Sequence, residues 1–225
     1  MNSAIKSGAI YKLIQDELTN LPGEKAHLEM VPYRSKESLT ASKNTRIKES
    51  AVLCLLTQKN KSISITLMER TIDNSPHSGQ ISFPGGKMEL FDKNLNETAL
   101  RETHEEIGIH PSEIIVLGQL TPFYIPVSNF QVTPFIGYTT GNKTLKLSKR
   151  EVKTVFEIDI QDLINPIHLT KKDIPNHLGQ TLKNIPCFLI DNRVIWGATS
   201  LILNEVKLIY NTIENQLKKK HLPKK

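Results

Sequence analysis

The fold of this chain is decided by the stretch RETHEEIGI at residues 101–109, which follows a glycine pair, Gly85-Gly86. The stretch places three carboxylates, Glu102, Glu105 and Glu106, on the last turns of one short helix. A helix C-terminus carries partial negative charge, so acids there are unfavourable, and like charges four residues apart destabilise a helix further. Hard cations such as Mg²⁺ bind a few carboxylates together with substrate phosphates. The pattern therefore predicts a helix that holds divalent cations.

The ends and the two faces of this helix follow from local signals. Asn94 or Asn96 can act as the N-cap, because a short side-chain acceptor satisfies free backbone donors of the first turn. Gly108 stands where a left-handed C-terminal cap is expected. Arg101 precedes the first acid and can pair with a neighbouring carboxylate, while the acids are expected on one face. The predicted buried stripe on the other face comprises Ala99, Leu100, Thr103 and Ile107.

These residues resemble a Nudix box. The family pattern is a glycine, five residues, a glutamate, seven residues, and then Arg-Glu-U-x-Glu-Glu-x-Gly-U, where U is a bulky apolar residue. Residues 101–109 match closely, with Thr103 at the first U position. The loop from Gly86 to Arg101 is one residue longer than the pattern, and Asp92, rather than a glutamate, stands six residues after Gly86. A solvated acidic helix face is the alternative, but the agreement of both halves favours the box.

A second signature precedes the box and resembles the Nudix subgroup that hydrolyses coenzyme A. Its second arginine falls on Ser75, and the longer box loop also occurs in this subgroup. Residues 151–157 and 195–199 resemble the strand after the variable loop and the start of the closing helix in the same subgroup. The resemblance therefore covers about residues 47–210. The residues that fit the second signature are Arg70, Gly79, Phe83, Pro84, Gly85 and Gly86.

The resemblance implies a fold, a reaction and a cofactor. The fold would be α+β, an α/β/α sandwich with a mixed β-sheet between helices. The reaction would be metal-dependent hydrolysis of a diphosphate linkage, with coenzyme A or a derivative giving phosphopantetheine and adenosine 3′,5′-bisphosphate. Mg²⁺ or Mn²⁺ would be the cofactor, because such ions neutralise diphosphate oxygens and activate water.

The resemblance also implies roles for individual residues. Glu102 and Glu106, with Glu105, are the expected metal ligands, and Arg101, Glu102 and Glu105 belong to the expected catalytic set. Glu151 is a candidate general base, because Nudix enzymes often recruit an acid after the box; a surface acid beside Arg150 is the alternative reading. His104 occupies a variable position and is expected to be exposed. The expected substrate contacts are Arg70, His77, Gly79, Gln80, Gly85 and Gly86.

Composition narrows the class of protein further. The length of 225 residues suits one domain, and no apolar run approaches the length of a membrane span. Cys54 and Cys187 belong to no metal or redox motif, so free thiols in a reducing, cytoplasmic setting are expected. The net charge of +6 is concentrated in tails and loops. No aromatic residues interleave with the basic ones, so a nucleic-acid partner is not expected, and a homodimer is the common outcome for a small enzyme.

The remaining pattern predicts strands mixed with a few helices, including a hairpin of residues 185–190 and 194–196 that turns at Asp191-Asn192. We expect an N-terminal helix and polar linker over residues 1–46, a Nudix hydrolase domain over 47–217 and a basic tail over 218–225. Pro134 lies within a predicted strand, which suggests an edge or a bulge. Residues 121–129 form a loop that either shapes a ligand pocket or packs over the sheet.

Three other functions remain open from the sequence. The same box serves Nudix enzymes that act on ADP-ribose or on oxidised nucleotides, and Ser75 leaves room for such a substrate. A non-catalytic Nudix-fold binding module is a second alternative, although the intact set of Glu102, Glu105 and Glu106 argues against it. A Nudix protein that processes nucleic acid is a third, suggested only by net charge.

Overall fold

The computed structural model describes residues 7–32, 34–40, 47–59, 62–72, 78–139, 144–175 and 179–220. The predicted substrate contact His77, and Ser75, lie outside the described residues. The helices are α1 (Ser7–Glu17), α2 (Glu24–Met30), α3 (Leu95–Ile107), α4 (Ile160–Ile164) and α5 (Gly197–Lys220). The strands are β1 (Lys48–Lys59), β2 (Ser62–Arg70), β3 (Ile81–Ser82), β4 (Gly85–Lys87), β5 (Ile115–Gln119), β6 (Phe123–Ile125), β7 (Phe130–Thr139), β8 (Val152–Asp159), β9 (Leu169–Pro175), β10 (Thr181–Ile190) and β11 (Arg193–Ile195). Short 3₁₀ turns occupy Lys36–Leu39, Pro111–Glu113 and Pro166–His168.

The described strands form a mixed eight-stranded sheet and a smaller three-stranded one. The main path of the large sheet is β3-β2-β1-β7-β5, with β4 paired to β1, β6 to β7 and β8 to β2. The β1–β7 pair is parallel and runs from Lys48 opposite Phe130 to Thr57 opposite Thr139. The other pairs are antiparallel, including β11-β10-β9 in the second sheet.

Helices cover both faces of the large sheet, which confirms the predicted α+β fold with a mixed sheet between helices. Strand β1 shows the reason, because successive side chains of a strand point to opposite faces. Leu53 and Leu55 belong to the core that contains Ile107 of α3. Cys54 and Leu56 belong to the core on the other face, with residues of α1 and α5. The central run of β1, from Ala51 to Leu56, is apolar at every position, as expected of a strand that is buried on both sides.

The N-terminal helix is confirmed and packs on the closing helix. Ile10 and Ile14 of α1 belong to the same core as Val206 and Ile209 of α5. Gln216 of α5 also donates to Glu17 of α1. Helix α2 was not predicted; it packs beside α5 and buries Ala26, His27 and Met30. Residues 41–46 of the predicted linker lie outside the described residues.

Of the edge or bulge predicted at Pro134, the edge is wrong, whereas the β5–β7 ladder beside it does have an irregular register. Strand β7 is interior, with Pro134 opposite Val52 of β1 on one side and with β5 and β6 on the other. The amide of Leu120, between β5 and β6, donates to the Pro134 carbonyl at 2.8 Å. The N and O atoms of one extended residue point to the same side, so the missing donor of Pro134 faces this junction. An interior proline is tolerated there because the neighbouring ladder is interrupted.

Two other elements follow the sequence closely. The predicted hairpin is formed by β10 and β11, with Asp191 and Asn192 at φ angles of 50° and 60°, as tight primed turns require. Helix α5 continues to Lys220, so the described start of the predicted basic tail is helical, and Lys218 pairs with Glu214 at 3.3 Å. Within the described residues, no helix has the length and apolar character to cross a bilayer.

Candidate active site

Helix α3 presents its acids to the glycine strand β4. The Asn94 side chain accepts from the Glu97 amide at 3.0 Å, which confirms one of the two predicted N-caps. Gly108 adopts the predicted left-handed conformation, with φ at 81°, and its amide donates to the His104 carbonyl at 2.9 Å. Because α3 packs on β1 and β4, its C-terminal turns end beside Gly85 and Gly86.

Glu106 is buried, although the sequence placed all three acids on one face opposite the buried stripe. Its side chain is 3% exposed; one oxygen accepts from the Gly85 amide at 2.8 Å and the other lies 3.6 Å from Arg70 Nη1. Burial raises the pKa of Glu106 to about 8, since the Gly85 amide and Arg70 only partly oppose it and the Glu102 and Glu151 charges add to it. The helix turn carries this acid inward, against β4.

Arg101 organises the outer half of the cluster. Its Nη1 donates to Glu102 at 2.8 Å and to Glu105 at 3.0 Å, as the sequence predicted for a neighbouring carboxylate. Its Nε and Nη2 each donate to Asp92 at 2.9 Å, and Nη2 also donates to the Lys87 carbonyl at 3.0 Å. One guanidinium therefore joins α3, the box loop and β4.

Asp92 is a structural partner that the sequence did not assign. Its side chain is 3% exposed and also accepts from Thr98 at 3.0 Å and from the Glu89 amide at 2.9 Å. The hydrogen bonds from Arg101 outweigh burial and lower the pKa of Asp92 to about 2. The only signal in the sequence was the presence of a carboxylate in the box loop, because nothing local specifies its pairing with Arg101.

The two glycines are required for different reasons. A Cβ at Gly86 would lie 2.5 Å from Cδ of Glu102, so the glycine leaves room for that carboxylate. A Cβ at Gly85 would lie 2.4 Å from the Ala51 carbonyl oxygen, and the Gly85 φ of 151° is rare for other residues. Gly86 is therefore needed to leave space for the Glu102 carboxylate, whereas Gly85 is needed for the close approach of β4 to β1.

The acids suit a hard cation in their chemistry. Glu102 and Glu105 each give an oxygen to Arg101, and Glu106 is held by Gly85. As they stand, no three His, Cys, Asp or Glu side chains among the described residues converge closely enough to hold a metal ion. Burial also raises the pKa of Glu102 against the opposing effect of Arg101. Two carboxylates whose negative charge is unfavourable, beside a third, fit a divalent cation that would neutralise them.

Glu151 lies near this cluster. The strand predicted to begin at this residue begins instead at Val152, and Glu151 is exposed in the preceding turn, where its amide donates to the Ser148 carbonyl at 3.0 Å. Its charge contributes to the raised pKa values of both Glu102 and Glu106. His104 is exposed, as expected, and the centroid of its ring lies 5.3 Å from the centroid of the His110 ring.

A cleft of about 590 Å³ opens beside the glycine pair. Of the predicted substrate contacts, Arg70, Gln80, Gly85 and Gly86 line it, whereas Gly79 is not among its lining residues. Gly79 instead occupies a turn at φ 65°, and its amide donates to the Thr71 carbonyl at 3.2 Å. The sequence did not predict lining residues outside these motifs and the 121–129 loop, such as Lys48, Phe130, Thr199 and Ile202.

The loop at residues 121–129 serves both purposes that the sequence left open. Phe123 is 1% exposed and belongs to the main core, yet its ring also lines the cleft. Ile125, Val127 and Ser128 line the same wall. Trp196 also lines the cleft. The sequence placed this residue at the start of the closing helix and gave it no role in a ligand site.

Comparison with known proteins identifies the family. The NUDIX domain matches residues 47–177, more than half of the chain. The chain belongs to the Nudix family. It is 36% identical over 143 residues to an uncharacterized Nudix hydrolase NudL of Yersinia enterocolitica, with 64% of this chain and 72% of that protein covered. It is 29% identical over 199 residues to Nudix hydrolase 3 of Caenorhabditis elegans, with 82% of each chain covered.

Solved structures that match the chain have low sequence identity to it. The MutT protein from Methanosarcina mazei Go1 aligns with 76% of this chain and 99% of its own, at 17% identity and a TM-score of 0.47. The relatives are named as Nudix hydrolases, and the chain is an enzyme of this Nudix hydrolase family, whose members generally use divalent metal ions.

Proposed function

We propose that this Nudix hydrolase cleaves the diphosphate of coenzyme A or of its derivatives. Water adds to one phosphorus of the diphosphate and the bridging P–O bond breaks, giving phosphopantetheine and adenosine 3′,5′-bisphosphate. One observation carries the proposal: a single cleft is lined both by the glycine pair and Arg70 and by large apolar side chains. Such a cleft suits a substrate that joins a diphosphate to a long, weakly polar arm.

The charged part of the cleft suits a diphosphate. Arg70 lines the cleft, and its Nη1 lies 3.6 Å from the carboxylate of Glu106. Lys48 and Lys87 line it as well. Cations attract phosphate oxygens, and backbone at Gly86 can approach them because no Cβ intervenes. A diphosphate bound at the glycine pair would lie beside the acids of α3, because the Gly85 amide contacts Glu106.

The apolar lining of the cleft suits the pantetheine arm. The whole cleft has a volume of about 590 Å³, which is typical of sites that bury a small molecule. Large apolar walls favour a flexible chain with few charges, whereas a second ribose or base would leave more polar groups to satisfy. The apolar lining comprises Phe123, Ile125, Val127, Phe130 and Trp196.

The proposed roles follow the geometry of the acids. Glu102, Glu105 and Glu106 would hold Mg²⁺ or Mn²⁺, which when bound neutralises diphosphate oxygens and lowers the pKa of an attacking water. Arg101 orients Glu102 and Glu105, which it contacts in the structure. Glu151 would accept the proton from water, because it is exposed and its charge is felt by Glu102 and Glu106.

The test is a substrate panel with and without divalent cation. The purified protein would be incubated with coenzyme A, acetyl-coenzyme A, ADP-ribose and dinucleoside polyphosphates, and products would be separated by chromatography. We expect the fastest release to be adenosine 3′,5′-bisphosphate from coenzyme A or its acyl derivative, and no release with EDTA. Faster cleavage of ADP-ribose or of a dinucleoside polyphosphate would overturn the substrate proposal and keep the family chemistry.

A matched pair of variants tests the proposed ligands. Glu102→Gln should abolish metal-dependent turnover. Glu97→Gln removes a carboxylate from the same helix, where Glu97 interacts with Lys93 and the Asn94 cap, and should leave turnover close to wild type. Equal turnover in both variants would overturn the ligand assignment. Binding without cleavage of any substrate in the panel would instead indicate a binding module.

A further inference from the structure

A buried glutamate links three elements behind the cleft. Glu205 of α5 is completely buried. One of its oxygens accepts from the Thr121 hydroxyl at 2.6 Å and from the Gly23 amide at 3.3 Å, and the other accepts from the Thr121 amide at 3.2 Å. His27 of α2, also completely buried, lies 3.5 Å from the second oxygen. These four residues, Gly23, His27, Thr121 and Glu205, are called the tether below.

The tether holds an ionised carboxylate in the interior. Burial acts to raise the pKa of Glu205, but His27 and the Thr121 donors outweigh burial, so the pKa lies below its usual range. A buried charge is tolerated only when it is paired and hydrogen-bonded. None of the four residues lines the cleft, so the family chemistry gives no reason for this charge.

The tether lies directly behind the apolar wall of the cleft. Thr121 is two residues before Phe123, whose ring lines the cleft and meets the edge of the His27 ring at a centroid distance of 5.2 Å. Glu205 lies one turn after Ile202, which lines the cleft from α5. The tether therefore joins the β6 wall to the α5 wall.

A second hydrogen bond fixes the same helix to a third part of the cleft. The Thr199 hydroxyl of α5 donates to the Ile81 carbonyl of β3 at 2.8 Å, and both residues line the cleft. With α5 held to β3 at Thr199, the contact at Glu205 determines where the segment from Thr121 to Phe123 lies relative to the helix.

We propose that Glu205 and Thr121 are positioning residues for substrate binding, which set the Phe123 wall against α5 and thereby the fit of an apolar substrate arm. The proposal rests on the proposed function only in taking this cleft as the substrate site. Loss of the tether should weaken binding of the arm and leave the chemistry at the α3 acids unchanged, because Glu102 is held by Arg101 and Glu106 by the Gly85 amide, not by residues of the tether.

Matched variants at Thr121 provide the test. Thr121→Val keeps the shape of the side chain and removes the hydroxyl donor, whereas Thr121→Ser keeps the donor. Glu205→Gln removes the charge. Gln216→Met is the control for a purely structural role, because it breaks another side-chain hydrogen bond of α5, to Glu17, that lies outside the cleft lining.

Binding would be measured through Trp196, the only tryptophan of the chain, which lines the cleft. Coenzyme A would be titrated into each variant with EDTA present, and KM and kcat would be measured with Mg²⁺. We expect Thr121→Val and Glu205→Gln to raise both Kd and KM about tenfold and to leave kcat within about twofold of wild type. A tenfold change in Kd is the size expected for the loss of one contact. Thr121→Ser should resemble the wild type.

Two outcomes would overturn the proposal. If Thr121→Val lowers Tm as Gln216→Met does but leaves Kd and KM unchanged, the tether is structural only. If the wild type neither binds nor cleaves coenzyme A, the proposed function fails. The role of the tether in shaping the cleft is then tested by acrylamide quenching of Trp196 fluorescence. A changed quenching constant in Thr121→Val but not in Thr121→Ser or Gln216→Met would support a role in shaping the cleft, and an unchanged constant would overturn it.

Discussion

Two buried glutamates of this protein have pKa values that are shifted in opposite directions. Glu205 has the Thr121 and Gly23 donors and His27 around it, and its pKa lies below the usual range. Glu106 has the Gly85 amide and a more distant Arg70, with two other acids nearby, and its pKa is raised to about 8. The fold surrounds Glu205 with hydrogen-bond donors that stabilise its charge, whereas Glu106 has fewer such partners. An acid left in this state is suited to a ligand, whereas a satisfied one is part of the framework.

The largest expected effect is on the unsatisfied acid. Glu106→Gln should lower kcat by about a thousandfold, the scale of one lost electrostatic contact in a transition state. The free energy of unfolding in EDTA should be equal to or above that of the wild type, because a carboxyl with a raised pKa is unfavourable when ionised. Steady-state kinetics and urea unfolding would measure the two quantities. A large loss of stability with little loss of kcat would reverse the comparison.

The wild type and Glu106→Gln should differ in how Mg²⁺ changes their Tm. Mg²⁺ that binds only the folded state raises Tm, and the stabilisation grows with the logarithm of the ratio of its concentration to Kd. Wild-type Tm should therefore rise when Mg²⁺ replaces EDTA, whereas the Tm of Glu106→Gln should change little. Glu97→Gln serves as the control and should respond like the wild type. An equal rise in all three proteins would mean that the ion binds elsewhere.

The next effect concerns the satisfied acid. Glu205→Ala should lower the free energy of unfolding by about 3–5 kcal/mol, because His27 and the Thr121 donors lose their buried partner. Urea unfolding at neutral pH would measure the loss. Gln216→Met, which breaks a less buried contact of the same helix, should lower the free energy by about 1 kcal/mol. Equal losses in the two variants would show that the tether contributes no more than an ordinary hydrogen bond.

A smaller effect is expected at Asp92, which resembles Glu205 in having its charge satisfied. Its pKa is about 2 when folded, against an ordinary value of 3.8, so its ionised form contributes about 2 kcal/mol to stability. The sign follows from the lowered pKa: the contribution is complete above about pH 4 and is lost as pH falls towards 2. Asp92→Asn should therefore be less stable than the wild type at pH 7. The difference between them in urea unfolding should shrink below pH 4; a constant difference would contradict the assignment.

The smallest effect separates the two glycines. Gly86→Ala should lower kcat/KM by about tenfold, or about 1.4 kcal/mol, because the three atoms nearest to the new Cβ all belong to the Glu102 carboxylate. Its Tm should remain close to that of the wild type. Gly85→Ala is the contrasting variant, since its Cβ would meet the Ala51 carbonyl and the Val52 backbone. It should lose stability as well as activity, and a reversed pattern would exchange the roles of the two glycines.

The sequence by itself determined the elements whose signals are local. The α3 helix, an N-cap at Asn94 or Asn96, the Gly108 cap and the β10–β11 hairpin were all predicted, because caps, turns and helical spacing depend on residues within a few positions of one another. The family pattern brought Arg101 and the acids into one site for the same reason. The mixed sheet between helices was implied by the family resemblance and is confirmed.

Only the tertiary structure decided how charges were partnered across the chain. Thr121 and Glu205 are 84 residues apart, and no periodicity or spacing relates them. The interior place of Pro134 and the burial of Glu106 against β4 likewise depend on which strands become neighbours. Whether an acid is satisfied or left for a ligand is set by such long-range contacts, because the free energy of a buried charge depends on the atoms that surround it and not on its position in the sequence.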